Sequence, residues 1–222
     1  MKINDDYLKE QLKHVYWLNG GPCAGKTAMT NMLIENHGFQ TLKEDVLKYR
    51  LFTTSKTHPA MQMPNPDLNY QEWFNRPTDI HSQWLSDLVE EMMPFFIIDL
   101  LKMEADQPIV IDLGIMPECI LPFIPKERIL CLYTLDTEIE RLYFFREDHK
   151  MILDCINNNT VNPKETIAHS NQAMIKFSND VTKACIAQGI QTIKRTPNMS
   201  KERQFGLVCN YFGLESILSE TV

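Results

Sequence analysis

Residues Gly20-Gly21-Pro22-Cys23-Ala24-Gly25-Lys26-Thr27 place two glycines five positions apart, followed at once by a lysine and a hydroxyl residue. That spacing makes a phosphate-binding loop. The glycines let the backbone bend so that successive N–H groups converge on an anion. Lys26 reaches the terminal phosphates as a point charge, and the Thr27 hydroxyl is a hard oxygen ligand for a magnesium ion that travels with the nucleotide. The apolar run Val15-Tyr16-Trp17-Leu18 precedes the loop and reads as a buried strand, and a helix-compatible stretch from Ala28 follows it. At such a strand-to-helix turn the helix N-terminus adds partial positive charge to the anion site. The expected ligand is a nucleoside triphosphate, taken as ATP, with Mg2+, held by Gly20, Gly21, Pro22, Cys23, Ala24, Gly25, Lys26, Thr27 and Ala28. A further acidic candidate is Asp112. It ends the apolar run Ile109-Val110-Ile111, where a carboxylate binds magnesium directly or through water.

These residues need a scaffold, and the chain alternates strand and helix patterns throughout. Strands are expected near 14–18, 39–42, 109–113, 128–135 and 191–195. A helix from Lys26 ends at His37-Gly38, where glycine supplies a left-handed cap. Another runs from about Asp45 to Phe52. The apolar stripe Trp84, Leu85, Leu88, Val89 and Met92 predicts a helix over 79–93, broken or kinked at Pro94, with a second piece reaching Met103. Thr137 and Glu140 read as a capping box opening a helix that ends near Lys150. Asn157-Asn158-Asn159 reads as a polar turn. Asn162-Pro163-Lys164-Glu165 opens a long helix to Gln188, and Ser200 caps the last one. The expectation is an α/β fold: a three-layer α/β/α domain on a mainly parallel five-stranded sheet, spanning residues 1–222. Two regions interrupt it. An insert, about 45–93, contains a stretch over 53–77 with four prolines and the residues Met61, Met63, Tyr70, Trp73 and Phe74. A lid region covers about 136–160.

Bulk properties narrow the partners. The net charge of −7 disfavours a nucleic acid held by its phosphates. No apolar run is as long as a membrane span, and Met1 to Glu10 is polar and acidic, unlike a signal peptide. The six cysteines form no Cys-x-x-Cys pair, so a reducing cytoplasm is the simplest setting.

The chain carries no Asn-Lys-x-Asp guanine motif, no Asp-Glu pair at the end of the third strand and no Leu-Ser-Gly-Gly-Gln signature. Gly20-Gly21-Pro22 with Gly25-Lys26-Thr27 resembles the phosphate-loop small-molecule and nucleotide kinases, the adenylate-kinase-like group. The sequence departs from that subgroup at Cys23 and Ala24, where Gly and Ser are usual. The resemblance implies kinase-like transfer of the γ-phosphate to a small-molecule or nucleotide acceptor. It places the acceptor between the second and third strands, and a lid after the fourth carries arginines that close over the transferred group. Asp45 would then accept the acceptor's proton or hold magnesium, or it simply caps its helix. Arg146 and Arg141 would face the phosphates, or pair with Glu138 or Glu147. On a continuous helix the two arginines stand about 140° apart, which favours Arg146, with Lys150 on the same face. Arg50 and Arg76 flank the insert where similar kinases bind an acceptor phosphate. Trp73 and Phe74 would stack on a flat acceptor or pack the insert onto the core. Arg195 follows the last strand, in the loop that lies against the adenine. The alternatives are a nucleotide-binding regulator without kinase activity and a kinase acting on a nucleic-acid end.

Overall fold

The computed structural model describes residues 5–63 and 69–215. The part of the insert at 64–68, with two of its prolines, and the first residues of the acidic N-terminal stretch lie outside the described residues. In chain order the elements are α1 (Asp5–Gln11), β1 (Val15–Asn19), α2 (Lys26–His37), β2 (Gln40–Thr41), α3 (Val46–Arg50), α4 (Pro59–Gln62), α5 (Tyr70–Phe74), α6 (Thr78–Leu100), β3 (Ile109–Asp112), β4 (Ile129–Tyr133), α7 (Asp136–Leu142), α8 (Lys150–Asn159), α9 (Pro163–Ala187), β5 (Thr192–Lys194) and α10 (Lys201–Phe212). All strand pairings are parallel, in the order β2-β3-β1-β4-β5. The fold is the expected three-layer α/β/α sandwich.

Alternation along the central strands makes the layers, because successive side chains leave a strand on opposite faces. Val15, Trp17, Ile109, Ile111, Ile129 and Cys131 pack with Met92, Phe96 and Leu100 of α6 and Val181 and Cys185 of α9. Leu18, Val110, Leu130 and Leu132 point the other way, onto Met29 and Leu33 of α2 and Phe205, Val208 and Cys209 of α10. Strands buried on both faces read as continuous apolar runs, which is why they were visible in the sequence.

Three local expectations are corrected. The helix over 79–93 does not break at Pro94: α6 continues through it to Leu100. Pro94 lies on the exposed side, while Met92, Met93, Phe96, Ile97 and Leu100 are buried. At about 2 kcal/mol per buried apolar side chain, that burial outweighs one lost helical hydrogen bond. The helix after β4 is short. It begins at Asp136 without a side-chain cap, so Thr137 and Glu140 form no capping box. Two 3-10 turns, Tyr143–Phe145 and Glu147–His149, separate it from α8. Asn157-Asn158-Asn159 is the last turn of α8, not a loop. Among the described residues no helix is long and apolar enough to cross a membrane.

The carboxyl end of β1 is stapled to the segment after β3. Asn19 is fully buried. Its Oδ1 accepts from the N–H groups of Gly20 (2.8 Å) and Ile115 (2.9 Å), and its Nδ2 donates to the Ile115 carbonyl (2.9 Å). Trp17 Nε1 donates to the Leu113 carbonyl at 2.8 Å. Both side chains leave the carboxyl end of β1 and reach the segment that follows β3, so the loop starts from a fixed point. Removing the amide leaves two buried N–H donors unpaired. We expect Asn19→Ala to lower the unfolding free energy by about 3 kcal/mol. Urea titration of the two proteins measures it, and a loss below about 1 kcal/mol would contradict this role.

Candidate phosphate-transfer site

The loop between β1 and α2 takes its shape from backbone positions that few residues tolerate. Gly20 and Gly25 have φ of +110° and +89°, and Cys23 adopts a left-handed φ of +60°. A Cβ on Gly20 would lie 1.9 Å from the Leu132 carbonyl oxygen of β4. The loop is braced from outside by two side chains. Arg195 Nη1 donates to the Cys23 carbonyl at 2.7 Å, and Gln204 Nε2 of α10 donates to the Ala24 carbonyl at 2.8 Å. With their carbonyls held outward, the first-turn N–H groups of α2 are left without a side-chain cap. That is the arrangement of an anion site at a helix N-terminus.

Lys26 and Thr27 both turn toward Asp112. Lys26 Nζ donates to the Gly21 carbonyl at 2.8 Å and lies 3.9 Å from Asp112 Oδ1. The Thr27 hydroxyl donates to Asp112 Oδ2 at 2.5 Å. A hydroxyl and a carboxylate oxygen side by side at the foot of a phosphate cradle fit Mg2+. That ion takes one or two protein oxygens and fills its octahedron with phosphate and water. Burial pushes the Cys23 thiol up, against the pull of Arg146, Lys26 and Arg195, so it stays protonated.

Two cavities open onto this point. The first, about 430 Å³, is lined by the loop from Cys23 to Ala28 together with Leu142, Arg146, Arg195 and Lys201. The second, about 450 Å³, is lined by Gly20, Pro22, the β2–α3 segment, α6, Asp112 to Gly114 and residues of α9. Lys26, Thr27 and Arg146 line both. Arg146 stands in extended backbone between the two 3-10 turns, so no helix phase limits where its side chain goes. Arg146 and Lys150 share no helix face, because Lys150 begins the separate helix α8.

The other expected residues lie elsewhere. Asp45 is exposed and caps α3, accepting from Lys48 N–H at 2.9 Å. Its neighbour Glu44 lines the second cavity instead. Glu44 is exposed as well, yet desolvation by the atoms around its carboxyl and the nearby Asp112 raise it above the usual range, with its own N–H and Lys26 pulling back. Arg141 is tied to Glu138 through Nε and Nη2 at 3.1 and 2.8 Å and lines neither cavity. Arg50 holds the insert together, with Nη2 donating to the Gln62 carbonyl (3.4 Å) and its own carbonyl accepting from Gln62 Nε2 (3.0 Å).

Arg76 stacks its guanidinium over Trp73 at 3.7 Å and Trp84 at 4.9 Å. Burial lowers it to about 10. Trp73 and Phe74 pack with Phe144 and Ile156, so they fasten the insert to the lid region rather than face a cavity. Gly21 lends its carbonyl to Lys26, and a Cβ there would meet Ser178 Oγ at 1.9 Å.

Asn19, Glu44 and Gln204 were missed. Glu44 stands beside Asp45, and only the direction in which the chain leaves β2 separates them. Gln204 carries no sequence signal, since its partner lies 180 positions away. No protein-family model matches the chain, and comparison with curated proteins finds no significant relative.

Two outcomes follow. Asp45→Ala should cost about 1 kcal/mol through the lost cap and leave nucleotide affinity unchanged, as read by denaturation and by titration with ATP. His81, buried between Trp73 and Trp84, is held down to about 4 by burial first, then by Arg76 and His169. Between its ordinary 6.5 and 4 the unfolded chain takes up a proton that the folded one refuses. Stability should therefore fall as pH drops through that window, by about 2 kcal/mol from pH 7 to 5. His81→Met should flatten the loss in urea titrations at the two pH values.

Proposed function

We propose that this chain is an ATP-dependent phosphotransferase. With Mg2+ it moves the γ-phosphoryl group from a nucleotide in the first cavity to a small-molecule or nucleotide acceptor in the second. The observation that carries this reading is that the cavities, of similar size, meet at Lys26, Thr27 and Arg146 and nowhere else in their linings. A protein that only binds or hydrolyses a nucleotide has no need of a second chamber at its terminal phosphate. The strand order and the loop on the first strand support the same reading, as does the resemblance to the adenylate-kinase-like group.

In this reading the loop N–H groups and α2 hold the phosphates, and Lys26 neutralises charge at the β–γ bridge. Thr27 and Asp112 would hold the magnesium, which when bound screens the phosphate oxygens from the incoming nucleophile. Arg146 contacts the group in transit from the side of the lid. Positioning and charge neutralisation are most of what phosphoryl transfer asks of a protein. A reducing, cytoplasmic setting belongs to the same proposal.

The test is product analysis after incubation with γ-labelled ATP, Mg2+ and a panel of nucleosides, monophosphates, sugars and aminoglycosides. Label found only as free phosphate with every acceptor would count against the phosphotransferase and favour a nucleotide-binding regulator. With an acceptor in hand, Arg146→Ala should lower kcat by about a thousandfold while ATP affinity changes far less. Unchanged turnover removes Arg146 from the reaction.

A further inference from the structure

The second cavity also carries information about what enters it. One side of its wall is carbon, from Leu42, Leu85, Leu88, Val89, Met174 and Phe177, and the rest is polar, including Thr30, Asn31, Thr41, Tyr143 and His149. Lys26, Asp112 and Arg146 belong to the end where phosphoryl transfer takes place. Beyond them, among the described residues, the acidic and basic lining side chains are Lys43, Glu44 and His149. A guanidinium fork suits recognition of a phosphate on the acceptor best, and both candidates outside the reacting end are committed elsewhere. Arg50 is bonded within the insert, and Arg76 is sandwiched on Trp73 and Trp84. Neither lines the cavity.

Of the three carboxylates near the reacting end, two are occupied. Asp112 accepts from Thr27 and Asp45 accepts from Lys48 N–H. Glu44 lines the second cavity and, among the described residues, makes no side-chain hydrogen bond to another residue.

Resting on the phosphotransferase reading, we propose that the acceptor is a neutral alcohol with an apolar or aromatic body and no phosphate of its own, and that Glu44 receives the proton of its hydroxyl. The hydroxyl oxygen forms a bond to the γ-phosphorus as the bond from that phosphorus to the β–γ bridging oxygen breaks. The electron pair of the broken bond leaves with ADP, and the hydroxyl proton moves to a Glu44 oxygen and on to water.

The experiment uses the full chain with γ-labelled ATP and Mg2+ and three acceptor sets: nucleosides and ring-bearing alcohols, nucleoside monophosphates, and sugars. Label should enter the first set. Glu44→Gln should lower kcat on it by about a hundredfold or more, with KM for ATP and cooperative unfolding retained. Asp45→Asn should leave kcat within about twofold, since its oxygen serves the helix cap. Transfer to monophosphates or sugars in preference overturns the proposal and leaves the phosphotransferase standing. Undiminished transfer by Glu44→Gln overturns the assigned base. Free phosphate alone, with every acceptor, removes the underlying reading and the proposal with it.

Discussion

A buried amide cannot be left half satisfied, because each unpaired polar atom costs about as much as a whole net hydrogen bond contributes. Asn19 meets that demand with both ends of its amide, its nitrogen also reaching the Cys185 sulfur at 3.4 Å. Its oxygen takes the N–H groups of Gly20 and Ile115, and its nitrogen reaches the Ile115 carbonyl. The loop thus departs from β1 and the segment carrying Leu113 and Gly114 departs from β3 along paths set by one side chain. Gly114 shows how tight the resulting approach is, since a Cβ there would lie 2.4 Å from the Gly20 carbonyl oxygen. The foot of the loop and the carboxylate of Asp112 are therefore positioned together. The short contact of Thr27 with Asp112 follows from that shared anchor.

The rest of the loop is held by contacts to its carbonyls, which leaves its N–H groups for a ligand. Arg195 and Gln204 come from the two elements after the last helix of the lid side, β5's exit and α10. The first cavity is braced by the carboxyl-terminal third of the chain, whereas the second is walled in part by α6 and α9. Cys23 occupies the left-handed conformation that a glycine would take without cost. A side chain placed there, with its thiol kept neutral among three cations, makes part of the first cavity's lining apolar.

How much of this could be read beforehand depended on the range of the interaction. The doubly buried strands, the loop and the cap at Asn162 announce themselves within a few residues, and they stand where the sequence places them. Asp112 and Arg146 were legible because strand ends and lid segments have fixed places in such a sheet. The choice between Asp45 and Glu44 was not. The two are adjacent, and a rotation of one residue where the chain leaves β2 exchanges a cap for a cavity wall. Arg141 and Arg146 differ in the same manner: Glu138 lies within reach of the first, while the second falls where helical geometry stops. Arg76 was misread because its partners are aromatic, and a guanidinium on two indoles has no signature beyond composition.

Arg146 forms part of two chambers at once, and this bears on how their occupants sense one another. A side chain lining both cannot adjust to a molecule on one side without altering the surface offered to the other. Whatever free energy an occupant of the first cavity gains from a particular placement of this guanidinium when the second is filled, the occupant of the second gains equally when the first is filled. Lys26 and Thr27, which line both cavities as well, add to the same coupling. Order of arrival changes the path and not the strength of that coupling.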